Sequence, residues 1–355
     1  MTNSLTRRER VRLALAHRET DRVPLSMIGS AINPPAAEAL DAYLRERRGV
    51  SAAVFLEDAL DLQAVAPRYV GPALADGMDF WSVRRRPVSY GPACYDEIDH
   101  YPLAAARTVD DVHRHPWPTA DWFDYESMRP RIDELTRRGC GIWAYGWGNI
   151  FESAWYMRGF ERMFMDVVLQ PDLAAAILSH VTDFYVEHYR RLLRAGRGNI
   201  DIAMTADDLG SQTGPLMSPA MWREQLMPHH VRLNGAIREF GVNIAYHCDG
   251  AIMELVGGLI EMGIDILEAL QFDAAGMDPA ELKRAHGERL CFAGGVSVQH
   301  TLPFGTVEDV RRETRMLIDT LGAGGGYICG PAHAIQAGTP PENVVAMFDE
   351  ALRVW

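Results

Sequence analysis

From Gly139 onward the chain alternates short apolar runs with longer helical patterns. The runs fall at 141–145, 199–205, 243–246, 264–270, 290–293 and 327–329. Strands of this length alternating with helices form a parallel sheet covered on both faces. Helix starts punctuate the rhythm. Thr306-Val307-Glu308-Asp309 is a capping box, while Asp278-Pro279, Thr339-Pro340-Pro341 and Ser218-Pro219 set a cap before a proline. Gly241, Gly263 and Gly322 follow helices, where a left-handed residue is wanted. Near the N-terminus, 6–16 carries Val11, Leu13 and Leu15 among arginines and predicts an amphipathic helix, followed by a turn and an apolar run at 23–28.

Five or six strand–helix units plus the run at 23–28 approach the eight of a barrel. The predicted fold class is α/β, a (β/α)8 TIM-like barrel with an N-terminal helical extension and insertions. A doubly wound sheet is the rival, but no Gly-x-Gly-x-x-Gly follows a strand. The stretch 34–125 is broken by Pro87, Pro92, Pro102, Pro116 and Pro118 and shows no clear period. It is expected to be an insertion or lid within one domain spanning 1–355.

Composition narrows the function. At 355 residues and 48% hydrophobic, the chain can bury roughly 75% of its unfolded surface without disulfides or a structural metal. Cys94, Cys140, Cys248, Cys291 and Cys329 include no C-x-x-C pair, and an odd count is a poor disulfide framework. A formal charge of -13 argues against nucleic acid or anionic membrane as partner. Lys283 is the single lysine, so positive charge is nearly all arginine, read either as codon composition or as anion recognition. No stretch approaches 18 uncharged apolar residues. The arginines of 1–12 have no apolar run behind them, so no signal peptide is expected and a cytoplasmic location is.

In a barrel the chemistry lies just past the strand ends. Trp147, Asn149 and Glu152 follow the run at 141–145, and Asp207, Asp208 and Gln212 follow the next. His247, Cys248 and Asp249 follow 243–246, Gln299 trails 290–293, and His333 and Gln336 follow 327–329. Residues i and i+2 of an extended segment face one side, so His247 and Asp249 converge while Cys248 turns away. With His333 they make two imidazoles and a carboxylate, a common set for a catalytic Zn²⁺ with an open position. The competing reading is a metal-free set of hydrogen-bonding residues. Cys248 and Cys329 are alternative zinc ligands, but alternation makes them small buried hydrophobes. Asp207 and Asp208 are even candidates for the pocket, the other capping a turn. Trp147 is placed to wall an apolar pocket for a flat substrate. His229 and His230 read as solvated helix residues.

These blocks carry a resemblance. Arg7-Arg8-Glu9-Arg10-Val11, Asp21-Arg22-Val23-Pro24, Asp207-Asp208-Leu209-Gly210-Ser211-Gln212, His247-Cys248-Asp249-Gly250, Gly294-Gly295-Val296 and Leu302-Pro303-Phe304-Gly305-Thr306 resemble the uroporphyrinogen decarboxylase superfamily, which includes cobalamin-dependent methyltransferases. The resemblance implies a TIM-like barrel. It departs from true decarboxylases at 25–35, where no arginine stands to grip a porphyrinogen. The methyltransferase branch holds zinc through His-x-Cys and a later Cys, which map here to His247, Asp249 and His333. The resemblance implies a zinc-dependent methyltransferase that works with a corrinoid protein; because a carboxylate and an imidazole replace two thiolates, we read the harder N/O site as suited to an oxygen leaving group, and so to a methyl group moved from a small methoxylated substrate, with an aromatic ring as one form. Asp207, Asp208 and Glu152 are its expected catalytic residues, and Trp147, Asn149, Gln212, Gln299 and Gln336 its expected substrate contacts. The alternative is a decarboxylase or other lyase on a small carboxylic acid. Expected partners are the substrate and the corrinoid protein, with neither nucleic acid nor membrane; self-association into a homo-oligomer is left open.

Overall fold

The computed structural model describes residues 5–89 and 94–353. Seven parallel strands form one sheet in chain order: β1 (Leu62–Val65), β2 (Gly141–Asn149), β3 (Ile202–Ala206), β4 (Asn243–His247), β5 (Ile266–Ala269), β6 (Cys291–Val296) and β7 (Tyr327–Pro331). The run at 23–28 closes the ring. Leu25 bridges Cys329 in parallel, Ser26 N donates to Cys329 O, and on the other side Asp61 N donates to Leu25 O. The eighth stave is thus a short segment between β7 and β1, and the architecture is a TIM-like (β/α)8 barrel.

The interior is packed by alternate strand residues, among them Ile28, Leu62, Trp143, Ile202, Ala245, Ile266, Ala293 and Ile328. The N-terminal helix Arg7–Leu15 seals the lower end, with its Val11 in that same cluster. Arg10 and Arg22 both pair with the fully buried Asp61, and Arg8 pairs with Asp201. A buried charge is tolerated only with partners, so these pairs fix the helix at the strand starts.

The helix caps match their sequence signals at Thr306, Asp278 and Ser218, each accepting from a backbone N–H of the first turn. Two details differ. The last helix, Pro341–Ala351, is capped by Pro340 without a side-chain bond, so Thr339 lies one residue too early. Gly322 has φ -81° rather than the left-handed value expected; Gly324, Gly325 and Gly326 take the positive φ that turns the chain into β7.

The stretch 34–125 divides and is not one insertion. Its helix Pro34–Arg48 packs outside the barrel beside the C-terminal helix, and β1 belongs to the barrel itself. The sequence hid this because β1 is four residues long and a helix pair precedes it. Beyond β1 the chain builds a roof. Strands Arg68–Tyr69 and Phe123–Asp124 pair antiparallel at its two ends, and Arg84–Ser89 pairs with Cys94–His100 between them. Buried Arg158 anchors it, donating to the carbonyls of Leu103 and Ala106 while paired with Asp166.

Candidate active site

His247 ends β4, and Asp249 follows two residues on, so both side chains turn toward the barrel mouth. His333 lies just past β7. Asp249 Oδ2 is 3.6 Å from His247 Nε2 and 3.5 Å from His333 Nε2, and one ligand atom from each of the three residues falls within 4.8 Å of the others. Ligands about 2.1 Å from a tetrahedral ion stand ~3.4 Å apart, so the two measured spacings fit a shared cation. Cys248 and Cys329 are buried; the Cys248 thiol takes the backbone N–H of Leu209 at 3.3 Å and does not join the set.

A residue the sequence reading missed fixes His247. Glu268, on β5 and fully buried, meets His247 Nδ1 at 2.5 Å, which leaves Nε2 to face Asp249 and His333. A carboxylate behind a ligating histidine orients the ring and raises its basicity. The backbone accommodates this closely. A Cβ on Gly29, at φ +66°, would stand 2.0 Å from Glu268 Oε2, and Ala269 and Leu270 beside Glu268 both have positive φ. Such non-glycine outliers collect at functional sites.

Burial disfavours a charged His247, but Glu268 and Asp249 outweigh it and hold its proton affinity well above the ordinary value. Glu268 itself is raised by burial despite the attraction of His247. The imidazole, set between two carboxylates, is thereby favoured in its protonated form. A cation bound at Nε2 displaces the proton of that nitrogen and leaves Nδ1–H to Glu268. Burial opposes and His247 favours ionised Asp249, whose carboxyl ends below its usual range.

The two adjacent aspartates have separate places. Asp207 is fully buried and faces away from the mouth: it accepts the backbone N–H groups of Phe151 and Glu152, each at 2.8 Å, and meets His230 Nε2 at 2.5 Å. It caps the helix Ile150–Arg158. His230, expected to be solvated, is 1% exposed and serves that cap. Asp208 turns to the mouth, 4.0 Å from His247 Nε2, and accepts Asp249 N at 3.1 Å. Burial raises its carboxyl, against the pull of His247.

Glu152 is the second acid facing this centre. Burial, then the charges of Asp208 and Asp207, push it up to about 8, while Tyr156 donates to its Oε1 at 2.6 Å. A carboxyl in this state carries a proton at neutral pH.

The remaining expected contacts fall into two cavities. Gln212, Gln299 and Gln336 join Asp249 and His333 around a space of about 280 Å³. Gln271, absent from the sequence reading, lies among them, accepting Gly250 N and donating to Gln212 Oε1. Trp147 and Asn149 line a larger, aromatic cavity of about 490 Å³. The end of β2 is bulged there, with a register shift between Tyr145 and Asn149 and φ +63° at Trp147, which aims the indole at the cavity. The roof supplies the opposite wall: Tyr69, Phe80, Trp81, Arg85 and Phe123. Tyr156 lines the cavity and also holds Glu152, so ring-binding and acid-bearing residues are contiguous. A further cavity of about 290 Å³ beside Arg18, Asp21 and Arg22 lies by the start of β7, at the opposite end from these residues.

Residues 147–354, more than half of the chain, match the family described as uroporphyrinogen decarboxylase (URO-D). The chain belongs to the uroporphyrinogen decarboxylase family. Its relatives include a uroporphyrinogen decarboxylase of Syntrophotalea carbinolica, 24% identical over 50% of this chain and 48% of the relative. They also include the methylcobamide:CoM methyltransferase MtaA of Methanosarcina barkeri, 24% identical over 51% of this chain and 49% of the relative. The chain thus spans about half the length of the curated relatives it matches. Among solved structures, a methyltransferase from Methanosarcina mazei has the same fold, with a TM-score of 0.68, 18% identity and 98% of both chains covered. The family match begins at the bulged end of β2 and includes every candidate metal ligand; the roof lies outside it. Among the described residues no helix is long and apolar enough to cross a membrane.

Proposed function

We propose that this member of the uroporphyrinogen decarboxylase family is a zinc-dependent methyltransferase that moves a methyl group from a small methoxylated, ring-bearing substrate to a corrinoid protein. The observation that carries the reading is the convergence of His247, Asp249 and His333, with Glu268 behind His247, beside an aromatic cavity. The methyltransferases among the family's relatives and structural neighbours support the class of reaction. His247, Asp249 and His333 would hold the ion, which when bound supplies Lewis acidity toward an ether oxygen.

The chain's own residues do the rest. Trp147 and the aromatic walls seat the ring and exclude water. Gln212, Gln299 and Gln336 present amides around the centre, and Asn149 borders the ring. When the carbon–oxygen bond breaks and the methyl leaves, the oxygen requires a proton. Glu152 holds one at neutral pH and is steadied by Tyr156. Asp208, at the mouth, helps keep this acid protonated through its charge, and Asp207 fixes the helix that bears it.

A decarboxylase reading follows the names of several relatives, but the segment 25–35 carries no arginine for a polycarboxylate. Substrate-dependent CO₂ release without a corrinoid would select it. The deciding measurement is methyl transfer from methoxylated aromatics to cob(I)alamin, followed by the visible spectrum, alongside zinc content of wild type and His247→Ala. Stoichiometric zinc lost in the variant, with transfer by wild type alone, is the expected result. No transfer across a broad panel by a zinc-loaded sample defeats the proposal.

A further inference from the structure

The aromatic cavity has an electrical character as well as a shape. Among the described residues that line it only Asp79 and Arg85 are charged, and they are paired, Arg85 Nη1 donating to Asp79 Oδ2 at 2.6 Å. Asp79 cannot swing aside, because its Oδ1 accepts the backbone N–H groups of Trp81 at 2.9 Å and Val83 at 3.0 Å. The guanidinium lies over Tyr156, 4.9 Å from the ring centre. Arg85 is therefore neutralised and held in place before any ligand arrives. Its Nε and Nη2 have no protein partner among the described residues, so they remain available to an acceptor.

An anionic ring entering this space meets a fixed carboxylate beside the guanidinium and the electron-rich faces of the surrounding rings. Like charges set side by side oppose binding, more strongly as the incoming ring displaces water from the half-buried pair. A neutral ring meets neither penalty, stacks on the aromatic walls and can still accept a hydrogen bond from Arg85.

We propose that the Asp79–Arg85 pair makes this cavity a charge filter: it seats flat, uncharged rings bearing an acceptor oxygen and turns away ring carboxylates of the same shape. Arg85 and Asp79 are then the specificity-determining residues, one donating to the ligand and the other cancelling the charge that would attract an acid. The inference rests on the reading that a ring-bearing substrate occupies this cavity, and adds its charge class.

The test is calorimetric binding of 4-methoxybenzyl alcohol and 4-methoxybenzoate to the full chain. Wild type is expected to bind the alcohol about tenfold more tightly than the acid or better. Asp79→Asn keeps an oxygen for the two backbone N–H groups but frees Arg85, so the acid should gain until the difference closes. Arg85→Gln should weaken the alcohol several-fold with no gain for the acid, and it serves if Asp79→Asn fails to fold. Equal or tighter binding of the acid by wild type, an unchanged preference in Asp79→Asn, or binding of neither ring overturns the filter. Because only binding is read, a bound alcohol that is never demethylated defeats the methyltransferase reading alone. An acid that is both preferred and demethylated defeats the filter alone.

Discussion

The two sides of the mouth are made differently. On one side, His247, Asp249, His333 and Glu268 issue from β4, β5 and β7 or the residues just beyond, and each is aimed by a strand of the closed ring. On the other, Phe80, Trp81, Arg85 and Phe123 come from the roof and meet the bulged end of β2. The first side gives direction to a few polar atoms; the second gives area, with little directional demand. Chemistry placed on the first is intolerant of substitution, whereas selectivity placed on the second can change by degrees.

That contrast can be broken most forcefully at the acid joining the two sides. Glu152→Gln removes the proposed proton donor but leaves the candidate metal ligands intact, and should lower methyl transfer by roughly 10²–10⁴-fold at unchanged zinc content. The pH profile gives the sign. In the proposed role Glu152 acts in its protonated form, and it is pushed up to about 8, so wild-type activity should fall as pH rises through that region, and the glutamine variant should lose that limb. A flat profile across this range would remove Glu152 from the role.

Glu268→Gln, on the strand side, should weaken zinc affinity by about 10–100-fold, read by competition with a chelator. Gly29→Ala should reproduce the loss in part, since its methyl group would collide with the same carboxylate. On the roof side, Phe80→Ala should raise the KM for ring substrates by roughly tenfold while zinc content holds, the scale of a partly buried aromatic contact. Should either change cross over, so that Glu268→Gln alters ring affinity alone or Phe80→Ala releases zinc, the division fails. The smallest effect is expected at Cys248→Ala: zinc stoichiometry unchanged, with a thermal shift matching about 1 kcal/mol of lost packing.

The strand side was largely legible in the sequence. The i, i+2 spacing of His247 and Asp249 and the strand-end position of His333 put three candidate ligands together because a barrel converts strand order into adjacency. Glu268 carried a signal that went unread: an acid inside the apolar run 264–270, where a buried charge demands a partner. His230 carried none, since a histidine on a helix looks the same whether it is solvated or tied to Asp207. The choice between Asp207 and Asp208 could not be made from alternation alone, because the strand ends at Ala206 and the chain leaves regular geometry between them. The roof was illegible for another reason. Phe80, Trp81 and Arg85 sit near a turn held by Asp79, where neither a period of two nor one of 3.6 operates, and their neighbours are distant in sequence.

The short pairing of Arg68–Tyr69 with Phe123–Asp124 has a consequence for descent. It brings the two ends of the roof together as hydrogen-bonded neighbours, so the intervening chain leaves and rejoins the barrel at nearly one point. A segment attached in this way can be lengthened, trimmed or exchanged with little change in the positions of its attachments. The wall of the aromatic cavity can thus vary separately from the strand ends that carry His247, Asp249 and His333.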